Sequence, residues 1–225
     1  MLTVTIGDIH GMAYKLGRLL DLVHARMAAD HPSESFRLVF LGDYVDRGPH
    51  SFEILKRLQE LQKVGAICLR GNHEDLMIGS CDSAANLNVF LRNGGVETLA
   101  SLGSSDRLLE AIDWASNLPL TYEDAHRLFV HAGIRPHVPL RQQRPADLLW
   151  IRTTFLDHPD PFPKYIVHGH SPTLFLPGAS RKPHVLPHRC NLDTGAVYGG
   201  PLSAAVFTDE RAEPLATITT DANGG

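Results

Sequence analysis

Seven residues, Gly42-Asp43-Tyr44-Val45-Asp46-Arg47-Gly48, put two carboxylates and a guanidinium directly behind the apolar run Phe36, Leu38, Val39, Phe40, Leu41. Glycines at both ends let the backbone turn sharply and approach a ligand closely. Four further segments place polar donors behind apolar runs: Gly7-Asp8-Ile9-His10-Gly11, Arg70-Gly71-Asn72-His73-Glu74, His131-Ala132-Gly133 and His168-Gly169-His170. Together the five loops offer Asp8, His10, Asp43, Asn72, His73, His131 and His170, a set of oxygen and imidazole donors without a thiolate. Such donors suit divalent transition ions of intermediate hardness and exclude a cysteine-type structural zinc site. Any one of these loops could be a capped turn and nothing more. All five in succession, each at the end of an apolar strand, point to a single site.

The elements that must position these residues follow from periodicity. Leu2 to Ile6 alternates apolar residues with Thr and predicts a strand that ends at the first loop. Met12 to Ala29 carries Leu16, Leu19, Leu20 and Val23 at helical spacing. Phe36 to Leu41 predicts a second strand, and Pro49 suits the first turn of a helix carrying Phe52, Ile54, Leu55, Leu58 and Leu61. With a third strand predicted from Val64 to Leu69, strand, polar loop and helix recur three times. That recurrence implies a mostly parallel sheet with helices on its faces. Residues at about 75–118 read as a helical insertion or cap, broken at Asn93-Gly94-Gly95 and Gly103-Ser104-Ser105, within one domain spanning 1–225. Further strands are predicted at 118–121, 127–130, 165–167, 185–186, 191–193, 204–207 and 215–218, and a short helix near 146–151. The end, from Asp221 to Gly225, is expected to fray. Trp114 and Trp150 are expected in the core.

Composition bounds the function classes. With 225 residues and 43% hydrophobic content the chain can bury one sizeable core. A net charge of −4 and a pI near 6.3 supply no global field for nucleic acid or an anionic membrane. Cys68, Cys81 and Cys190 are an odd, scattered set, which argues against a disulfide framework and for a reducing compartment. The first residues read as a strand rather than a signal peptide, and no apolar run reaches membrane-span length. A cytoplasmic location is therefore expected, without nucleic-acid or membrane partners.

On the five blocks, which extend to about three quarters of the chain, the sequence resembles the calcineurin-type metallophosphoesterases, and within them the bacterial phosphoprotein phosphatases. The resemblance implies an α/β fold, a β-sandwich flanked by helices in a four-layer architecture, with a two-metal centre at one edge. It implies that Asp8 and His10 bind the first metal, that Asp43 bridges both, and that Asn72, His131 and His170 complete the second. Manganese is the expected ion, and iron, zinc or nickel are compatible with the same donors. Two cations roughly 3.5–4 Å apart need a shared carboxylate, and a bridging hydroxide would attack phosphorus in line. By the same resemblance His73 protonates the leaving alkoxide and Asp46 orients it, with the aspartate expected to raise the imidazole pKa. Arg47 would hold phosphate oxygens through paired N–H donors. Arg152, in Leu148-Leu149-Trp150-Ile151-Arg152, is the second phosphate-binding arginine on this reading, with Arg135 its competitor. Tyr198 would line the substrate pocket. Pro172 stands where many relatives carry a further metal histidine, which leaves the first metal fewer protein ligands, and His168 would support a ligand rather than bind metal.

The activity so implied is hydrolysis of phosphomonoesters, with phosphoserine and phosphothreonine in proteins or peptides as leading substrates and phosphotyrosine as a further one. A symmetrical dinucleoside tetraphosphatase is the alternative enzyme, with a similar Leu192-Asp193-Thr194-Gly195 segment and a nucleotide as substrate. Those hydrolases typically lack the aspartate found here at Asp46. A non-catalytic phosphate-binding module would need a broken donor set, and all seven donors are present.

Overall fold

The computed structural model describes residues 1–221 and opens with β1 (Leu2–Ile6), α1 (Ala13–Asp30), β2 (Phe36–Phe40), α2 (Ser51–Lys63) and β3 (Ile67–Cys68). Next come α3 (Asn72–Gly79), α4 (Ala84–Phe90), a π turn (Leu91–Gly95), α5 (Val96–Leu102) and α6 (Ser105–Ser116). The remainder holds β4 (Thr121–Glu123), β5 (Arg127–Val130), α7 (Pro145–Trp150), α8 (Thr153–Leu156) and β6 (Tyr165–His168). It closes with β7 (His184–Leu186), β8 (Arg189–Asn191), β9 (Ser203–Phe207) and β10 (Ala216–Thr219). Apart from Asp221, the frayed end expected from the sequence lies outside the described residues.

These strands form two five-stranded sheets, ordered β10-β9-β1-β2-β3 and β4-β5-β6-β8-β7. Both are mixed rather than mostly parallel. The β1-β2-β3 and β5-β6-β8 ladders are parallel, but the tail strand β9 runs antiparallel to β1, and β4 and β7 run antiparallel to their neighbours. Short turns join β4 to β5 and β7 to β8, and a hairpin connection permits only antiparallel pairing.

Alternation along each strand sets the layers. Leu2, Val4, Ile6, Leu38 and Phe40 pack on the helical side with Leu16, Leu19, Val23 of α1 and Ile54, Leu55, Leu58 of α2. Val39, Leu41, Phe129, Val167, Cys190, Ala205 and Phe207 form a second core between the sheets. Leu128, Val130 and Ile166 cover the far face of the second sheet with Leu148, Ile151 and Phe155. The result is a β-sandwich with helices on both outer faces. β1 is buried along its whole length because both of its faces are covered, so its Thr residues do not mark a solvent face.

Four local expectations shift. The strand predicted at 118–121 is β4 at Thr121–Glu123, since Pro119 has no N–H to give a ladder. β3 is only two residues long, because Gly65 at φ 101° turns the chain and Val64 is exposed. β8 ends at Asn191, two residues before the predicted strand end, because Asp193 enters the turn around Gly195. Trp150 is 41% exposed instead of buried in the core, whereas Trp114 is partly buried and donates to Gln62. Cys68 and Cys190 are buried and Cys81 exposed, all free. No described helix is long and apolar enough to cross a membrane.

Candidate metal centre

Because β1, β2 and β3 are parallel, their C-terminal loops leave the first sheet at one rim, as do those of β5, β6 and β8 in the second. The two rims meet: the His131 ring bonds the Leu41 carbonyl at 2.9 Å, and the His170 N–H donates to Asp8 at 3.0 Å. Backbone strain concentrates here. Of the six described non-glycine residues at positive φ, five are His10, Asp43, Asp46, Arg47 and His170. Each such residue costs about 1–3 kcal/mol, so the surroundings must over-determine it. Glu74 does much of that. Its buried carboxylate accepts from the N–H groups of Asp43 (2.8 Å), Tyr44 (2.8 Å) and Gly71 (2.9 Å), tying the second loop to the third. Gly71 is required, since a Cβ there would collide with the Asp43 backbone and carboxylate.

Asp43 lies at the centre of two donor groups, His10–Asp43–His73 and Asp43–His131–His170, each with its ligating atoms within 4.8 Å. The Asn72 Oδ1 joins the second, 2.9 Å from His131 Nε2 and 2.8 Å from His170 Nδ1. His131 shows why this arrangement calls for a cation. Burial pushes its pKa below the usual imidazole value, so the ring is neutral and carries one proton. Nδ1 faces the Leu41 carbonyl and needs that proton, which leaves the Nε2 lone pair facing Asn72 Oδ1 and, at 3.3 Å, Asp43 Oδ1. Lone pairs so opposed are stabilised by a positive ion between them. His170 differs: burial holds it well below its usual pKa, its Nδ1 meets Asn72 Oδ1, and its buried Nε2 has no hydrogen-bond partner among the described residues.

The carboxylates point the same way. Burial raises Asp8 well above the usual range, and the neighbouring charges of Asp193 and Asp43 raise it further. Burial pushes Asp193 up to about 6, a trend that Asp43 reinforces and His10 opposes. Burial would raise Asp43 too, but His131, His73 and His10 hold it well below the carboxylate range. Three crowded acids, Asp43 faced by imidazoles and Asp8 and Asp193 met by backbone N–H groups of His170 and Gly195, form a set short of positive charge, and divalent ions fit it. The structure does not place Asp8 in the same donor group as His10. Its carboxylate receives the His170 N–H, and Gly169 must lack a side chain because a Cβ would strike Asp8. Asp193, absent from the sequence-derived site, is the missed acid.

His73 and Asp46 form a buried pair, Nδ1 to Oδ2 at 2.7 Å. The expected rise in the imidazole pKa does not occur. Burial lowers His73 to about 3 despite the opposing charge of Asp43, and burial raises Asp46 to about 7. Desolvation penalises both charged forms more than the pairing repays. Thr98, on α5, was not foreseen: its hydroxyl donates to Asp46 Oδ1 at 2.7 Å and accepts the Asp46 N–H at 2.8 Å. Gly94 adds a second tether, accepting the Arg47 N–H at 3.1 Å. Arg47 points inward, its Nη1 2.8 Å from His10 Nε2, and supplies positive charge to the first donor group.

Around the rim, Arg152 Nη1 donates to Ser171 at 3.1 Å, and its charge helps lower His170. Arg135 is instead held by Asp147 at 2.6 and 3.1 Å, away from the donors. Tyr198, 42% exposed, lies beside Arg47, with the guanidinium carbon 5.6 Å from the ring centre. Trp150 stands 6.1 Å from the His170 ring. His168 contacts Arg189, Phe155 and the Gly169 carbonyl, and touches the donors only through its chain neighbours.

The family model of calcineurin-like phosphoesterases matches residues 1–201. A bis(5'-nucleosyl)-tetraphosphatase PrpE [asymmetrical] of Halalkalibacterium halodurans is 30% identical, over 91% of this chain and 89% of that protein. Its namesake in Bacillus thuringiensis is equally similar over the same shares. Among solved structures, a putative diadenosine tetraphosphatase superposes with TM-score 0.67 at 26% identity, covering 97% of this chain and 92% of that one. A cold-active protein tyrosine phosphatase gives TM-score 0.64 at 17% identity, covering 100% of this chain and 77% of that one, a likeness of fold alone. With a family model spanning most of its length, and a rim of imidazoles and carboxylates that calls for cations, the chain belongs to the calcineurin-like phosphoesterase family.

Proposed function

We propose that the protein hydrolyses dinucleoside tetraphosphates asymmetrically. The observation that supports this reading is the near full-length similarity, at 30% identity, to relatives named for that activity. In this proposal Asp8, His10 and Asp43 would hold one divalent ion, and Asp43, Asn72, His131 and His170 would hold another. Manganese is the expected metal. Such ions, when bound, act as Lewis acids toward phosphoryl oxygens and lower the pKa of water. The chain's own contribution is orientation and charge. Arg47 and Arg152 would grip phosphate oxygens, Glu74 fixes the loop that carries Asp43, and Asp46 holds the His73 ring through Nδ1.

One observation favours a second reading. A phosphate leaving group is weakly basic and departs without a proton, whereas an alkoxide needs one. The buried Asp46–His73 pair is a proton device at a site whose anhydride chemistry does not demand it. Phosphoserine or phosphothreonine peptides, and phosphotyrosine, are therefore the second substrate class, for a protein acting in the cytoplasm. The test is a substrate comparison on metal-reconstituted protein. Diadenosine tetraphosphate should yield ATP and AMP. Two ADP would mean symmetrical cleavage, faster turnover of a phosphopeptide would favour the second reading, and hydrolysis of neither would leave a phosphate-binding module.

A further inference from the structure

We propose that two exposed aromatic surfaces flanking the donor groups, Trp150 on one side and the Tyr198–Phe175 pair on the other, are stacking platforms for the two bases of a dinucleoside polyphosphate. The inference rests on the nucleotide reading above and names the residues that would select the nucleotide.

Large aromatic faces are normally buried, yet Trp150, Tyr198 and Phe175 are 41%, 42% and 65% exposed. Each surface adjoins a different donor group, Trp150 directly and Tyr198 through Arg47. The indole of Trp150 lies 6.1 Å from the His170 ring at 84° between planes, beside the Asp43–His131–His170 group. On the other side Tyr198 lies 5.6 Å from the Arg47 guanidinium carbon, and Arg47 reaches His10 of the other group at 2.8 Å. Phe175 extends that surface, its ring 5.3 Å from that of Tyr198. The series Tyr198, Arg47, His10, Asp43, His170, Trp150 thus has an aromatic face at each end and an arginine, one aspartate and two imidazoles in between.

Charge around the series suits a polyphosphate. Arg47 stands between Tyr198 and the donors, Arg152 is held beside His170 by Ser171, and Arg181 donates to the Gly199 carbonyl at 3.1 Å. The Tyr198 platform is held in place. Lys15, buried under the turn, donates to the Ala196 and Gly200 carbonyls at 2.8 and 2.7 Å, on either side of Tyr198. A dinucleoside polyphosphate is the ligand whose chemistry uses all of these: a flat π-face at each end and four phosphates between them. A phosphoserine peptide offers neither base. The platforms also differ, one indole against a phenol–phenyl pair, so the two halves of a symmetrical substrate would not bind equivalently.

The test uses Trp150→Ala, Trp150→Phe and the double variant Tyr198→Ala with Phe175→Ala in metal-loaded, full-length protein. Losing one stacked base should raise KM for diadenosine tetraphosphate roughly five- to a hundredfold. The Ki of inorganic tetraphosphate, which has no bases, should stay within about twofold, and Trp150→Phe should recover most of the loss because a smaller π-face remains. In a Trp114→Phe background, ADP should quench the fluorescence of Trp150, the one tryptophan left. If the wild type turns over diadenosine tetraphosphate and neither variant changes its KM, the platforms are overturned and the nucleotide reading stands. If KM and the tetraphosphate Ki rise together, the aromatics serve the phosphate site and the platform role is wrong. If the wild type leaves diadenosine tetraphosphate intact while hydrolysing a phosphopeptide, the nucleotide reading fails. ADP quenching would then still support the Trp150 platform, and its absence would remove it.

Discussion

Asp43 faces ring nitrogens of His10, His73 and His131 at 3.4, 4.0 and 3.3 Å, so this one side chain joins both donor groups. His73 occupies a boundary between roles, because it is gathered with His10 and Asp43 yet its Nδ1 is committed to Asp46. The variant His73→Asn should retain metal while losing on the order of 10²–10⁴-fold in kcat, the scale of a lost general acid. Metal analysis run beside the kinetics decides it, since loss of an ion would make His73 a ligand. Thr98 is a positioning residue acting through Asp46. Thr98→Val keeps the shape and removes both hydrogen bonds to Asp46, with the one to Ser51, and should lower kcat roughly ten- to a hundredfold with KM nearly constant, as expected for a bond to a charged group. Thr98→Ser should restore most of the rate, and a Thr98→Val protein of full activity would refute the role. Thr98 was not legible in the sequence because it lies in no glycine-bounded block after an apolar strand, and Asp193 was hidden inside a strand predicted at 191–193 that ends at Asn191. Thr98 sits in a helix 52 residues beyond Asp46, and only folding brings them together.

At the scale of elements, strand and loop carry the site, and they were the most legible part. A period-2 apolar run followed by a polar, glycine-bounded loop marks a buried strand ending at the rim, and β1, β2, β5 and β6 all read that way. The tail strands mixed both sheets because pairing direction depends on which neighbour a strand meets, which local pattern does not encode. The exposure of Trp150 was equally hidden: it ends a six-residue helix whose Leu148 and Leu149 face inward, leaving the indole outside. α3 contributes more than its donors, since Glu74 ties two donor-bearing loops together. Replacing Glu74 by Gln leaves one of its two oxygens as an amide that cannot accept. It should lower unfolding free energy by about 1.5–3 kcal/mol, seen as a lower urea midpoint at unchanged slope. A midpoint equal to that of the wild type would mean that the clamp contributes nothing.

For the whole molecule, the buried histidines couple stability to pH. His168 is the one to follow, because it lies between Arg189 and the Gly169 carbonyl and outside both donor groups. Burial and the Arg189 charge hold its folded pKa well below the ordinary imidazole value of about 6.5. The unfolded chain therefore binds a proton that the folded chain refuses. The stability this histidine contributes is fully present above the unfolded value and is lost as pH falls toward the folded one. Relative to His168→Gln, the wild type's advantage at pH 8 should shrink by about 1.4 kcal/mol per pH unit below roughly 6.5. A constant advantage down to pH 5 would contradict the assignment of a neutral ring. Divalent ions act on the same balance. Saturating manganese should raise the melting temperature and a chelator should lower it, because ions bind the assembled rim and not the dispersed chain.

The most direct test is a count of ions. Elemental analysis of manganese-reconstituted protein after desalting should give close to two ions per wild-type chain and fewer than one for Asp43→Asn, with both proteins equally folded by circular dichroism. A wild type that holds one ion or none, or an Asp43→Asn protein that keeps two, would contradict a centre built around one shared carboxylate.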